Sequence, residues 1–160
     1  MQSGLTTDAG PEKAAAQALA QFQALVLQHN RTRRHFGKLA NANHQAIGAN
    51  PLCGDHLTVE LHIEANTIIQ CGFHGDMSAI SIAAAEILCA QITRLSLPHA
   101  EIALRAAQAM LAGQIDLANT DEFHCFAVVR RYPSRLKTAT LPVATLLAAV
   151  LGDASQVSTE

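Results

Sequence analysis

Apolar and polar residues alternate without a break from Leu57 to Glu64. Leu57, Val59, Leu61 and Ile63 fall on one face, and Thr58, Glu60, His62 and Glu64 on the other. A period of two is the mark of a half-buried strand. Ala65-Asn66 makes a tight reversal and Thr67 to Phe73 reads as a second strand, so the two form a hairpin that Gly75 ends. Elsewhere the period lengthens. Leu19, Phe22 and Leu25 follow a three-to-four spacing behind Pro11, which predicts a first helix ending near Asn30. Ser78 is a good N-cap for a segment from Ala79 to Cys89 that is apolar on most sides, the pattern of a central buried helix. Pro98 opens another helix that runs to about Ala112 and stops at Gly113, and a last helix covers roughly Ala139 to Leu151.

Between these elements the pattern fades. Arg31 to Gly37 and Arg130 to Arg135 are basic and aperiodic and read as loop and turn. Residues 41 to 56 are rich in Asn, Gly and Pro and read as punctuation, while 114 to 129 hold at most a short helix. Residues 1–10 are expected to be a flexible N-terminus, 11–151 a single domain, and 152–160 a flexible tail. Helices on the apolar face of a small antiparallel sheet give an α+β fold class.

Composition sharpens this picture at a few points. Alanine supplies 30 of 160 residues and there is no Trp, so the core is built from small side chains on good helix formers. A net charge of −2 leaves no electrostatic footprint for nucleic acid or an anionic membrane. No apolar run approaches the ~20 residues of a membrane span, and Met1 to Lys13 lack the order of a secretory signal. The expected location is therefore the cytoplasm. The four cysteines, Cys53, Cys71, Cys89 and Cys125, contain no C-x-x-C pair, which excludes a zinc knuckle or a thioredoxin-type motif.

Candidate chemistry concentrates in Asn50-Pro51-Leu52-Cys53-Gly54-Asp55. Pro and Gly hold a tight loop with a thiol at its tip, and a carboxylate two residues on can share a metal with that thiol. The competing reading of Asp55 is a loop residue that binds backbone amides. Cys71 lies mid-strand, Cys89 in the apolar helix and Cys125 in an apolar run, so each is expected to be a small buried hydrophobe. His44, His56 and His74 fall near the loop end of the sheet, and His74 is the first of them that could complete a metal site.

The loop does not stand alone. His29-Asn30-Arg31 through Phe36-Gly37-Lys38-Leu39 precede it, and Phe73-His74-Gly75 with Ala79-Ile80-Ser81 follow. Further on come Met110-Leu111-Ala112-Gly113, Arg131-Tyr132-Pro133-Ser134-Arg135-Leu136-Lys137 and Ala139-Thr140-Leu141. In this order and spacing the chain resembles the iron–sulfur cluster assembly scaffolds of the IscU and NifU N-terminal type, and most of all their SufU branch, from about residue 18 to 150. The SufU likeness rests on a longer stretch between the middle helices and on Lys137, where IscU-type members carry a histidine.

The resemblance implies an α+β fold with a three-stranded antiparallel sheet and helices packed on one face. It also implies three cysteines and an aspartate that hold a nascent iron–sulfur cluster, or zinc in SufU-type members, and a cysteine desulfurase as sulfur-donating partner. Cys53 and Asp55 stand at two of these positions, but Ser78 and Thr138 occupy the other two cysteine positions. A neutral alcohol is a far poorer ligand for iron or zinc than a thiolate. Metal or cluster binding is thus expected to be weak or absent, with Ser78 and Thr138 serving as helix caps. Three functions follow: a degenerate scaffold or accessory that docks biogenesis partners, a sulfur acceptor using Cys53, or a binding module without metal or sulfur chemistry.

Overall fold

The structure is a computed structural model that describes residues 10–153 and 155–159, so residues 1–9 of the expected flexible N-terminus lie outside it. Helix α1 spans Pro11–Thr32, with proline in its first turn and Arg33 in a left-handed conformation at its end. Strands β1 (His44–Asn50), β2 (Asp55–Glu64) and β3 (Thr67–Asp76) follow. Then come α2 (Ala79–Ile92), α3 (Leu97–Leu111), a 3-10 helix (Glu122–Arg131), α4 (Pro133–Leu151) and the two-residue β4 (Val157–Ser158).

The expected hairpin is β2–β3, closed by Ala65 and Asn66, both at positive φ as a two-residue hairpin turn requires. The sheet order is β3-β2-β1-β4, with antiparallel pairing throughout the first three strands and a parallel pairing of β4 to β1. The three-stranded antiparallel sheet is therefore present, with a fourth strand at its edge. That strand comes from the stretch expected to be a flexible tail.

Strand β1 corrects the reading of residues 41 to 56 as loop. Its inward positions are Ala46, Gly48 and Asn50, all buried and none large, so the segment carries no hydrophobic alternation. The cause lies across the interface. A Cβ on Gly48 would come within 2.1 Å of Thr145 Oγ1 on α4, so only glycine lets the helix approach this closely.

Helix α2 is the central helix. Most of it is buried, from Ser81 through Cys89, and it packs on α1, α3, α4 and β3. Helix α4 starts at Pro133, six residues before the expected Ala139. The basic run that reads as a turn includes its first turn, because proline at the first helical position costs no hydrogen bond. Pro142 lies inside α4 and has no N–H to offer the carbonyl four residues back, that of Thr138. Among the described residues, α4 is long and apolar enough to cross a membrane by composition, but most of it is buried against the sheet and α3. The 3-10 helix stacks Phe123 on Phe126, and Phe126 meets Phe22 of α1 edge-on at 5.1 Å, which closes the helical layer.

Ile87 is 1% exposed at the centre of α2, whereas Ile80 is only part-buried at the rim of a groove beside α1. Truncating Ile87 to Ala is expected to cost about 2–5 kcal/mol in urea unfolding, and Ile80→Ala clearly less. Equal losses at the two positions would contradict this placement of α2.

Candidate functional site

The β1–β2 connection is built by Asn50, which is almost fully buried. Its side-chain oxygen accepts from Leu52 N at 3.2 Å and its carbonyl from Gly54 N at 2.9 Å. Gly54 has φ 76, a left-handed conformation that glycine adopts without penalty. This closed turn pushes Leu52 and Cys53 outward. Cys53 is exposed, and its thiol makes a weak donor contact to Asn50 O at 3.8 Å.

Asp55, two residues on, behaves in the opposite way. It opens β2 on the inner face of the sheet and is 5% exposed. Its Oδ1 accepts from Ser78 N at 2.9 Å and its Oδ2 from Ser78 Oγ at 3.0 Å. The Ser81 hydroxyl also donates to Oδ2 and lies 3.1 Å from Thr138 O. That carbonyl is the one left without an intrahelical donor by Pro142. The carboxylate thus sits at the N-terminus of α2, where backbone donors and the helix dipole favour an anion. Ser78 caps α2 as expected, its Oγ accepting from Ser81 N.

Thr138 corrects the expectation of a second cap. It is buried within α4, its hydroxyl donates to Ser134 O at 3.0 Å, and its Oγ1 lies 3.8 Å from Cys53 Sγ. The four positions implied by the resemblance therefore do converge: Cys53 from the turn, Asp55 from β2, Ser78 from the start of α2, and Thr138 from α4. They converge as a hydrogen-bonded cluster. Two of the four groups are neutral alcohols already engaged with carboxylate or backbone, and the carboxylate accepts three hydrogen bonds.

His74 does not join them. It pairs with Thr58 in the β2–β3 register, on the sheet face opposite Asp55, and its Nε2 is 3.0 Å from Glu60 Oε1. Glu60 also accepts from Leu39 N, so its carboxylate ties the 33–39 segment to the sheet. His29, His35 and His62 likewise face Glu122, Glu86 and Glu64. Among the described residues no three His, Cys, Asp or Glu side chains are grouped to hold a metal ion. The donor set does not fit a cluster held by protein thiolates.

Sequence reasoning missed Ser81, which lies in an apolar run yet bridges Asp55 to α4, and it missed the buried Glu86, whose carboxylate accepts from His35 N at 2.8 Å. The Ser78-x-x-Ser81 spacing at a helix start was the available signal for the first. Nothing in the sequence linked it to Asp55.

The remaining thiols differ in access. Cys71 and Cys89 are buried as expected, but Cys125 is only part-buried. Burial, with the Glu122 carboxylate adding to it, pushes the Cys125 thiol up. A limiting alkylating reagent is expected to label Cys53 first, Cys125 more slowly and Cys71 and Cys89 last, read by peptide mass mapping. Labelling of Cys71 or Cys89 as fast as Cys53 would contradict the burial. Asp55→Ala strands the donors on Ser78 and Ser81, and an unfolding-stability loss of about 1–3 kcal/mol is expected. No loss would mean that the carboxylate does not tie α2 to the sheet.

Known proteins carry the same architecture. Residues 21–139 match the NifU-like N-terminal domain. The iron–sulfur cluster assembly scaffold protein IscU of Streptococcus pyogenes serotype M1 is 25% identical over 122 residues, covering 75% of this chain and 76% of its own. Its counterpart from Thermotoga maritima is 25% identical over 126 residues, covering 78% and 89%. A crystal structure from Fervidobacterium islandicum AW-1, assigned as an iron–sulfur cluster assembly scaffold for the SUF system, superposes with a TM-score of 0.74 at 28% identity. It covers 79% of this chain and 93% of its own. With three-quarters of its length matched and the fold shared, this chain belongs to the NifU-like N-terminal domain family of iron–sulfur cluster assembly scaffolds.

Proposed function

We propose that this chain is an accessory of iron–sulfur cluster assembly that docks biogenesis partners and builds no cluster of its own. The observation that carries the reading is the engagement of the ligand positions: Asp55 accepts three hydrogen bonds from Ser78 and Ser81, and Thr138 donates to its own helix. A metal ion arriving here finds one thiol and one carboxylate. The carboxylate would have to surrender its donors, so iron or zinc is held weakly. The site works in the cytoplasm, where thiols stay reduced.

The exposure of Cys53 favours one specific activity within this role, that of sulfur acceptor. The donor is the persulfide of a cysteine desulfurase. The Cys53 thiolate attacks the outer sulfur of that persulfide, a new S–S bond forms on Cys53, and the enzyme's S–S bond breaks. The enzyme's cysteine leaves as thiolate and takes up the proton given up by Cys53. No net oxidation occurs and no metal is needed, only one accessible thiol. Leu52, 74% exposed beside Cys53, offers an apolar contact to the donor protein.

Incubation with a cysteine desulfurase and cysteine, followed by alkylation and peptide mass analysis, is expected to find one added sulfur atom on Cys53 and none on Cys71, Cys89 or Cys125. Cys53→Ala should abolish the label without changing stability. Absence of the persulfide, with the desulfurase itself shown to be loaded, would leave docking alone as the function.

A further inference from the structure

Cys71 and Cys89 come from different elements, the edge strand β3 and the central helix α2, yet their sulfurs lie 2.9 Å apart. That is only ~0.9 Å longer than a disulfide bond. The pair stands apart from the Cys53 site. Cys89 is eleven residues beyond Ser78 along α2, which places it about 16 Å down the helix. Nothing in the proposed sulfur transfer uses these two thiols.

The two sulfurs differ in access. Cys71 is 4% exposed and lines a cavity of about 360 Å³ at the β3 edge, walled by the 34–39 segment and by Thr93 at the end of α2. Cys89 has no exposed surface and lies behind Cys71. Burial, with Cys71 next to it, holds the Cys89 thiol well above its ordinary range. A small polar reagent therefore meets Cys71 first and finds Cys89 already in contact with it.

We propose that Cys71 and Cys89 form a redox-active dithiol that closes to an intramolecular disulfide when a small hydroperoxide enters the cavity over Cys71. The Cys71 sulfur attacks one peroxide oxygen and the O–O bond breaks. The leaving hydroxide takes the thiol proton as water, and Cys71 becomes a sulfenic acid. The Cys89 sulfur then attacks the Cys71 sulfur and displaces its hydroxyl, which departs with the Cys89 proton as a second water. Two thiols and one hydrogen peroxide give one disulfide and two waters, with two electrons passing from sulfur to oxygen. The bond ties the edge strand to the central helix and closes a short loop, so the oxidised chain is harder to unfold.

The test treats the reduced full-length chain with one equivalent of hydrogen peroxide, alkylates the remaining thiols and cleaves after glutamate. Cys71 and Cys89 then fall on separate peptides, Ala65–Glu86 and Ile87–Glu101. The expected result is that these two peptides are joined, are released by dithiothreitol, and accompany a rise in Tm of about 5 °C or more. In Cys89→Ala the resolving thiol is gone, and Cys71 should be trapped as a sulfenic acid by a dimedone probe. The wild-type peptide map decides the question even if that variant folds poorly. Full alkylation of Cys71 and Cys89 after unfolding, in a sample whose Cys53 has been oxidised, would overturn the proposal. So would oxidation of Cys71 to sulfinic acid with no cross-link.

Discussion

The Asp55 carboxylate is the point on which this structure turns. A buried anion at the first residue of a strand needs donors, and it obtains them from the N-terminus of α2: one backbone N–H and two serine hydroxyls. The single Ser81 hydroxyl proton is shared between Asp55 Oδ2 and Thr138 O, so the same knot sets α4 beside α2 and the sheet. That contact exists because Pro142 withholds the N–H that would otherwise satisfy the Thr138 carbonyl. Glycine at position 48 completes the arrangement by letting α4 lie close on β1. Strand, central helix and last helix thus meet through a few polar groups whose burial is tolerable only because each has a partner.

This knot occupies the place where the resemblance implies three thiolates and a carboxylate. The fold brings the four positions together from four places in the chain, the β1–β2 turn, β2, the start of α2 and α4. In place of thiolates, Ser78 caps a helix and Thr138 bonds back to Ser134, both roles that hydroxyls fill well and sulfur poorly. Cys53, the one thiol among these four positions, is turned outward toward solvent by the Asn50 turn.

Much of this was legible in the sequence. The alternation of Leu57 to Glu64 and the apolar run after Ser78 located the hairpin and the central helix, and the ordered motifs singled out Cys53, Asp55, Ser78 and Thr138, which the fold brings together. What stayed hidden has a common cause: contacts set by a distant partner. Strand β1 is small on its inner face because α4 crowds it. Ser81 looked apolar by its neighbours, although its acceptor is 26 residues away in chain order. Thr138 looked like a cap because the run before it is basic, yet Pro133 had already begun the helix. His74 sat near the loop in sequence, but strand parity turned it to the other face. Cys71 and Cys89 each read as an ordinary core cysteine, and only the packing of β3 on α2 reveals them as a pair.

Hydroxyls at positions 78 and 138 make a hydrogen-bonded joint where the resemblance implies thiolate ligands. Zinc per chain after anaerobic purification, measured side by side for the wild-type protein and the double variant Ser78→Cys with Thr138→Cys, tests it most directly. The account predicts well under one zinc for the wild type and about one for the double variant, since three thiolates and a carboxylate then share one end of the fold. A wild-type chain that retains one tightly bound zinc, or a folded double variant that gains none, would contradict it.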